Sequence, residues 1–152
     1  MFGPELVTLH HIGSTAVPGL VAKPIVDMLP EVRDIAAVDD LNDAMVSLGY
    51  IPKGENGIPG RRFFTKDVED VRRFHVHVFQ AGDPEIERHL LLVSHLRAIP
   101  AARQAYAALK QDLARQYPDD IAAYTEAKTA LIHELERQAR RRIVARKRSV
   151  GA

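Results

Sequence analysis

The densest chemistry in this chain lies between His11 and Asp27, in the run His-Ile-Gly-Ser-Thr-Ala-Val-Pro-Gly-Leu-Val-Ala-Lys-Pro-Ile-Val-Asp. Gly13-Ser14 forms a turn straight after a β-rich stretch, followed by Thr15, a segment of small residues and Lys23. Asp27 then interrupts an otherwise apolar run. A Gly-Ser turn lets backbone N–H groups approach an anion, and the hydroxyl adds another hydrogen bond. A carboxylate in an apolar strand is expensive to bury unless it is paired, hydrogen-bonded or metal-bound. Together, Gly13, Ser14, Thr15 and Lys23 describe a phosphate cradle facing a metal carboxylate, Asp27, the arrangement that phosphoryl transfer needs. The same residues have a plainer reading: Gly13 forms a turn, and Asp27 pairs with Lys23 or an arginine.

Other chemistries are weaker. A Ser14/His11/Asp27 hydrolase triad lacks the G-x-S-x-G nucleophile elbow. No G-x-x-x-x-G-K-[ST] or G-x-G-x-x-G is present, which removes the P-loop and the dinucleotide fingerprint. Arg61 and Arg62 follow a glycine- and proline-containing loop at residues 53–60, where they are placed either to reach phosphate bidentately or to end a strand in solvent.

The elements that must position these residues are legible from periodicity. Leu6–Ile12 reads as a strand that stops at Gly13-Ser14, and Pro24–Leu29 as a short buried run. Ile35, Val38, Leu41, Met45 and Leu48 recur at helical spacing, predicting a helix that Gly49 ends. Residues 61–65 and 72–80 read as two further strands. Pro84 and Pro100 each open a helix, and the stripe from Ile121 to Ile143 predicts a third, long one. Strands first and helices after make an α+β fold.

The 152 residues suit one domain over 1–152, and 46% hydrophobic content supplies a sizeable core. With no cysteine, disulfide frameworks, thiol catalysis and Cys-ligated zinc are all excluded. No apolar run approaches the ~20 residues of a membrane span, and residues 1–20 lack a signal-peptide pattern, so a cytoplasmic protein is expected. The net charge of +1 hides an asymmetry: residues 137–152 carry seven basic side chains and no acid, leaving residues 1–136 at −6. This basic end of the last helix has no interleaved aromatics for base stacking, so salt-sensitive contact with nucleic acid, without sequence specificity, is the most it implies.

Residues 11–27 resemble the signature of the GrpB-like (UPF0157) family. Agreement continues at Leu48-Gly49-Tyr50, Ile58–Phe64, His75-Val76-His77-Val78, and Tyr106 with Lys110. The resemblance implies a nucleotidyltransferase-type α+β fold, a small mixed sheet from the first half covered by helices from the second. In active nucleotidyltransferases a Gly-Ser turn precedes two acids spaced D-x-D, joined by a third acid from a later strand, and together these hold two Mg²⁺ ions. Here Asp27 stands between Ile25 and Leu29, so one acid of the pair is missing. At the third position the chain offers His75 and His77, which share a face of their strand. Imidazole suits transition metals better than Mg²⁺, so Asp27, His75 and His77 resemble a 2-His-1-carboxylate set for Zn²⁺ or Mn²⁺. At the start of the first C-terminal helix, the family's F-R-D-Y-L-R is replaced by Leu92-Val93-Ser94-His95-Leu96-Arg97.

The resulting expectation is binding of a nucleotide or phosphorylated small molecule, with metal-dependent nucleotidyl transfer as its chemistry. Ser14 and Gly13 hold phosphate with Thr15 and His11 alongside, Lys23, Arg61 and Arg62 balance charge, and Asp27 with His75 and His77 holds a divalent ion (Mg²⁺, Mn²⁺ or Zn²⁺). The alternative is a non-catalytic accessory domain that keeps the fold without the metal acids. Family members begin with a further helical segment, so the apolar residues Leu6, Val7, Leu9 and Ile12 near the start lead to an expectation of weak homodimerisation through residues 1–12.

Overall fold

The computed structural model describes residues 2–20 and 24–151. In chain order the elements are β1 (Leu6–Ile12), β2 (Val26–Val32), α1 (Ile35–Asp39), α2 (Asn42–Ser47), β3 (Tyr50–Pro52), β4 (Arg62–Val68), β5 (Val71–Gln80), α3 (Pro84–Ala98), α4 (Pro100–Gln116) and α5 (Ile121–Val150). The α+β expectation holds. Packing groups the chain into two compact units, Met1–Ala16 with Ala22–His89, and Val17–Val21 with Leu90–Ala152.

In the first unit the strands form one sheet in the order β1-β2-β5-β4-β3. β2 and β5 run parallel and the other neighbours antiparallel, so the sheet is mixed. A parallel pair needs a long crossover, here supplied by everything from α1 to β4. Side chains alternate across the sheet, which splits each strand's residues between two environments. One face carries Val32 of β2, Phe64 of β4, and Val76 and Val78 of β5, packed with Phe2, Val38 and Met45 into a core. The other face receives the odd-numbered neighbours Asp27, Phe63, His75 and His77. Alternation within each strand and the registers between them together place the four on one surface.

The single helix predicted between Ile35 and Leu48 is two short ones, α1 and α2, interrupted at Asp40-Leu41. Asp34 caps the first, its carboxylate accepting from the Ala36 N–H at 3.0 Å. The break preserves the apolar stripe as far as Met45, since Val38 and Met45 are buried and Ile35 and Leu41 pack against the core, whereas Leu48 is exposed. Gly49, at φ +90°, ends α2 in a conformation that a side chain disfavours. The short β3 has no apolar run of its own and escapes the periodicity reading.

In the second unit α4 packs on α5, burying Ala102 and Tyr106 of the former and Leu135 and Ala139 of the latter. The arginine-rich stretch is nearly the last half of the 30-residue α5. Two of its arginines are tethered locally, Arg137 and Arg141 both reaching Glu134, at 2.7 and 3.2 Å. Among the described residues, no helix is long and apolar enough to cross a membrane. At the edge of the sheet, β1 leaves Leu6, Val7 and Leu9 exposed.

Phe64 is 1% exposed at the centre of the core, so Phe64→Ala leaves a cavity and should lower unfolding free energy by about 3–5 kcal/mol. Leu9, with 55% of its surface in water, should tolerate Leu9→Ala within about 0.5 kcal/mol. Urea denaturation of the two variants measures the contrast.

Candidate functional site

Asp27 sits near the start of β2. The antiparallel register sets it opposite Ile12 of β1, and the parallel register sets it beside His75 of β5. His77, two residues on, projects from the same face. The Asp27 Oδ1 accepts from His75 Nδ1 at 3.2 Å and from His77 Nε2 at 3.0 Å. Two imidazoles, and no arginine among the described residues, make these bonds to the carboxylate. Asp27 and His75 keep 23% and 26% of their side-chain surface exposed, so an ion or small ligand can reach them. Burial by itself raises the Asp27 carboxyl, but the hydrogen bonds from His75 and His77 and their charge outweigh it and lower its pKa to about 2. The group is ionised throughout the neutral range.

The Gly13-Ser14 turn closes directly over this carboxylate. Gly13 adopts φ +73°, and a Cβ built on it would stand 2.6 Å from Asp27 Oδ2. Both facts require glycine. A short 3-10 turn, Ser14–Ala16, follows, closed by the Ala16 N–H on the Gly13 carbonyl. Its Thr15 hydroxyl donates to the Ile25 carbonyl at 3.3 Å and accepts from His11 Nε2 at 2.9 Å, tying the turn to the chain that enters β2. The register pairs His11 with Met28, which puts its ring on the opposite sheet face from Asp27. Lys23 lies outside the described residues.

The two arginines diverge. Arg62 leaves the sheet toward α1 and grips Asp39 with two nitrogens, Nε to Oδ1 at 2.7 Å and a terminal nitrogen to Oδ2 at 3.2 Å. Arg61 is buried, 6% exposed, on the Asp27 side. It donates through Nε to the Glu55 carbonyl at 3.1 Å and through its terminal nitrogens to the Asn56 carbonyl at 2.8 Å and to His77 Nδ1 at 3.3 Å. Its guanidinium carbon lies 4.6 Å from the centre of the Phe63 ring. Burial lowers the Arg61 guanidinium below its ordinary pKa, partly offset by Glu85.

Two residues complete the cluster that the spacing of the sequence does not reveal. Phe63, facing His77 across the β4–β5 ladder, packs against both histidines, its centroid 5.4 Å from His75 and 5.0 Å from His77. His89, in the second turn of α3, lies 6.0 Å from the His77 ring and donates from Nδ1 to the Glu85 carbonyl at 2.7 Å. Burial lowers its imidazole pKa below the ordinary value, favouring the neutral form. Alternation along β4 carries a signal for Phe63. Nothing local marks His89, because its place depends on how α3 returns after β5.

As a metal site the donor set fits a borderline transition ion. Asp27, His75 and His77 each offer one ligand atom, all within 4.8 Å of one another. Oxygen–nitrogen separations of 3.0 and 3.2 Å lie between the ~3.0 Å edge of a six-coordinate sphere and the ~3.4 Å edge of a tetrahedral one, for bonds of ~2.1 Å. One contact runs against the fit. A ligating histidine normally donates its other N–H to an acceptor, whereas His77 Nδ1 faces the Arg61 cation.

Gly13→Ala places a methyl group against the Asp27 carboxylate in a left-handed backbone conformation. The conformation alone costs about 1–2 kcal/mol. Gly19, at φ +80° with nothing within 4 Å of where a Cβ would stand, meets only that cost in Gly19→Ala. Thermal unfolding should therefore show Gly13→Ala to be the more damaging of the two, with the excess relieved in the Gly13→Ala/Asp27→Ala double variant.

Comparison with known proteins agrees with this architecture. The family model described as GrpB protein matches residues 2–138. The UPF0157 protein YqkA of Bacillus subtilis is 50% identical over 141 residues, which cover 93% of this chain and 41% of that protein. The crystal structure of conserved protein GrpB from Enterococcus faecalis superimposes with a TM-score of 0.86 at 39% identity, covering 93% of this chain and 85% of that one. A dephospho-CoA kinase of Mycobacterium leprae is 30% identical over 166 residues, 90% of this chain and 40% of that protein. The chain thus spans well under half of two of these relatives. With the family match extending over both the Gly-Ser turn and the histidine strand, this chain belongs to the GrpB family.

Proposed function

We propose that the Gly13-Ser14 turn and the Asp27, His75 and His77 cluster bind a nucleotide or phosphorylated small molecule together with a divalent transition ion, and that nucleotidyl transfer is the chemistry this site serves. The observation that carries the reading is the closure of a glycine turn on an ionised carboxylate, with no room for even a Cβ between them. Such a closure sets the backbone of the turn beside the carboxylate, so that a phosphate held by the turn and a cation held by Asp27 would be neighbours. Zn²⁺ or Mn²⁺, on one carboxylate oxygen and two imidazole nitrogens, would neutralise phosphate charge and polarise the bond to be broken. Within the chain, Asp27 would supply the anionic ligand atom, His75 and His77 would exchange their hydrogen bonds to it for the ion, and Phe63 walls one side of the imidazoles. The similarity to dephospho-CoA kinases supports a nucleotide- or CoA-precursor-like ligand.

A specific observation favours a second reading, a non-catalytic domain retaining the fold. Asp27 is the one carboxylate in the cluster, and its neighbours two residues away are Ile25 and Leu29. A two-ion mechanism bridges its metals through more than one acid.

Thermal unfolding with ATP or dephospho-CoA, each with Zn²⁺ or Mn²⁺, separates the readings. Binding at a hundredfold excess over the dissociation constant stabilises the fold by about 2.7 kcal/mol, a rise of several degrees in Tm. Asp27→Asn should abolish the metal-dependent part of that rise. No shift with any of the four combinations would leave the accessory-domain reading standing.

A further inference from the structure

We infer that Arg61 locks His77 in the tautomer that carries its proton on Nε2, and that this lock keeps a metal ion off His77 until Arg61 lets go. The lock belongs to the cluster assigned above and holds whichever phosphorylated ligand the site takes.

Two contacts on opposite sides of the ring demand the same tautomer. A guanidinium has five N–H donors and no acceptor, so its 3.3 Å contact with His77 Nδ1 is a hydrogen bond only if that nitrogen offers its lone pair. An ionised carboxylate only accepts, so the 3.0 Å contact between Asp27 Oδ1 and Nε2 requires the proton on Nε2. Arg61, His77 and Asp27 thus form a one-way chain of donors. The mobility that lets a surface arginine swing aside is missing here. Arg61 is held by the carbonyls of Glu55 and Asn56, stacked over Phe63 and almost wholly buried.

A metal ion binds a ring nitrogen through the lone pair, so an ion on Nε2 moves the ring proton to Nδ1. That N–H would then point at the N–H of Arg61, in place of the acceptor that a ligating histidine usually finds. Metal binding therefore breaks the Arg61–His77 bond. Because the same guanidinium pins Glu55 and Asn56, it also loosens the loop at 54–60, whose Gly60 N–H is held by the Glu55 carboxylate. Arg61 is a positioning residue in this scheme, acting on the ion through His77.

The test reads the tautomer directly. Long-range proton–nitrogen correlation spectra of the metal-free, isotope-labelled protein at neutral pH should show His77 with Nε2 protonated and Nδ1 bare. In Arg61→Gln, whose amide oxygen accepts, the proton should move toward Nδ1. Calorimetric titration with Zn²⁺ alone should then give at least a tenfold lower Kd than for the native chain. A native His77 protonated on Nδ1, or on both nitrogens, overturns the lock. So does a folded Arg61→Gln protein that binds Zn²⁺ no more tightly than the native one. Should Arg61→Gln fail to fold, the native spectrum decides alone. Failure to bind any nucleotide would leave that spectrum unchanged, so this inference and the proposed function fail separately.

Discussion

An ionised carboxylate in a half-buried sheet must be given hydrogen-bond donors, and the neighbourhood of Asp27 is arranged to give them. A strand buried on both faces is normally an unbroken apolar run, and Asp27 breaks one. Its solution is the parallel neighbour β5, which presents two imidazoles on the face where the carboxylate emerges. The arrangement propagates outward. Gly13 must lack a side chain to clear Oδ2, Arg61 must fix the far nitrogen of His77, and Phe63 fills the space beside the rings. Removing one donor leaves a buried charge short of a partner, which is more damaging than the loss of an average surface contact.

Sheet parity gathers the chemistry on one face, which also buries Ile12, Leu29 and Phe79. Val76 and Val78 close the apolar core, while His75 and His77 between and beside them serve the polar face. The same division runs through β4, where Phe64 is core and Phe63 lines the site, and where Arg62 and Arg61 depart in opposite directions. Arg62 spends its fork on Asp39 of α1, and Arg61 spends three donors on loop carbonyls and His77. Neighbours in sequence do unlike work because successive strand residues point to opposite faces.

Much of this is legible in the residues alone. The period-two spacing of His75 and His77 places them on one face, the oddness of an acid in an apolar run marks Asp27, and the Gly-Ser turn marks Gly13. The α+β class follows from the order of elements. Pairing between distant strands is not legible: nothing local in β2 or β5 says that they lie side by side and parallel, so spacing leaves the partners of Asp27 open between cations and metal. The same limit hides His89, brought to the cluster by the return of α3. The split between α1 and α2 is hidden for a different reason, since a break that keeps the apolar stripe in phase leaves periodicity unchanged. The inward turn of Arg61 depends on the Glu55 and Asn56 carbonyls of the preceding loop, whose placement composition does not display.

The site stands on Asp27 being ionised and bonded by both histidines, and a carbon-detected titration of its side-chain carboxyl measures that directly. A carboxyl lowered from 3.8 in the unfolded chain to about 2 in the fold contributes stability that is present above the higher value and is lost as pH falls through the lower one. The predicted result is an inflection near 2, moving up to the ordinary value or above it when His75 and His77 are both replaced by alanine, because burial then acts alone. An Asp27 that titrates near 3.8 in the native protein, unaffected by removal of the histidines, would contradict it.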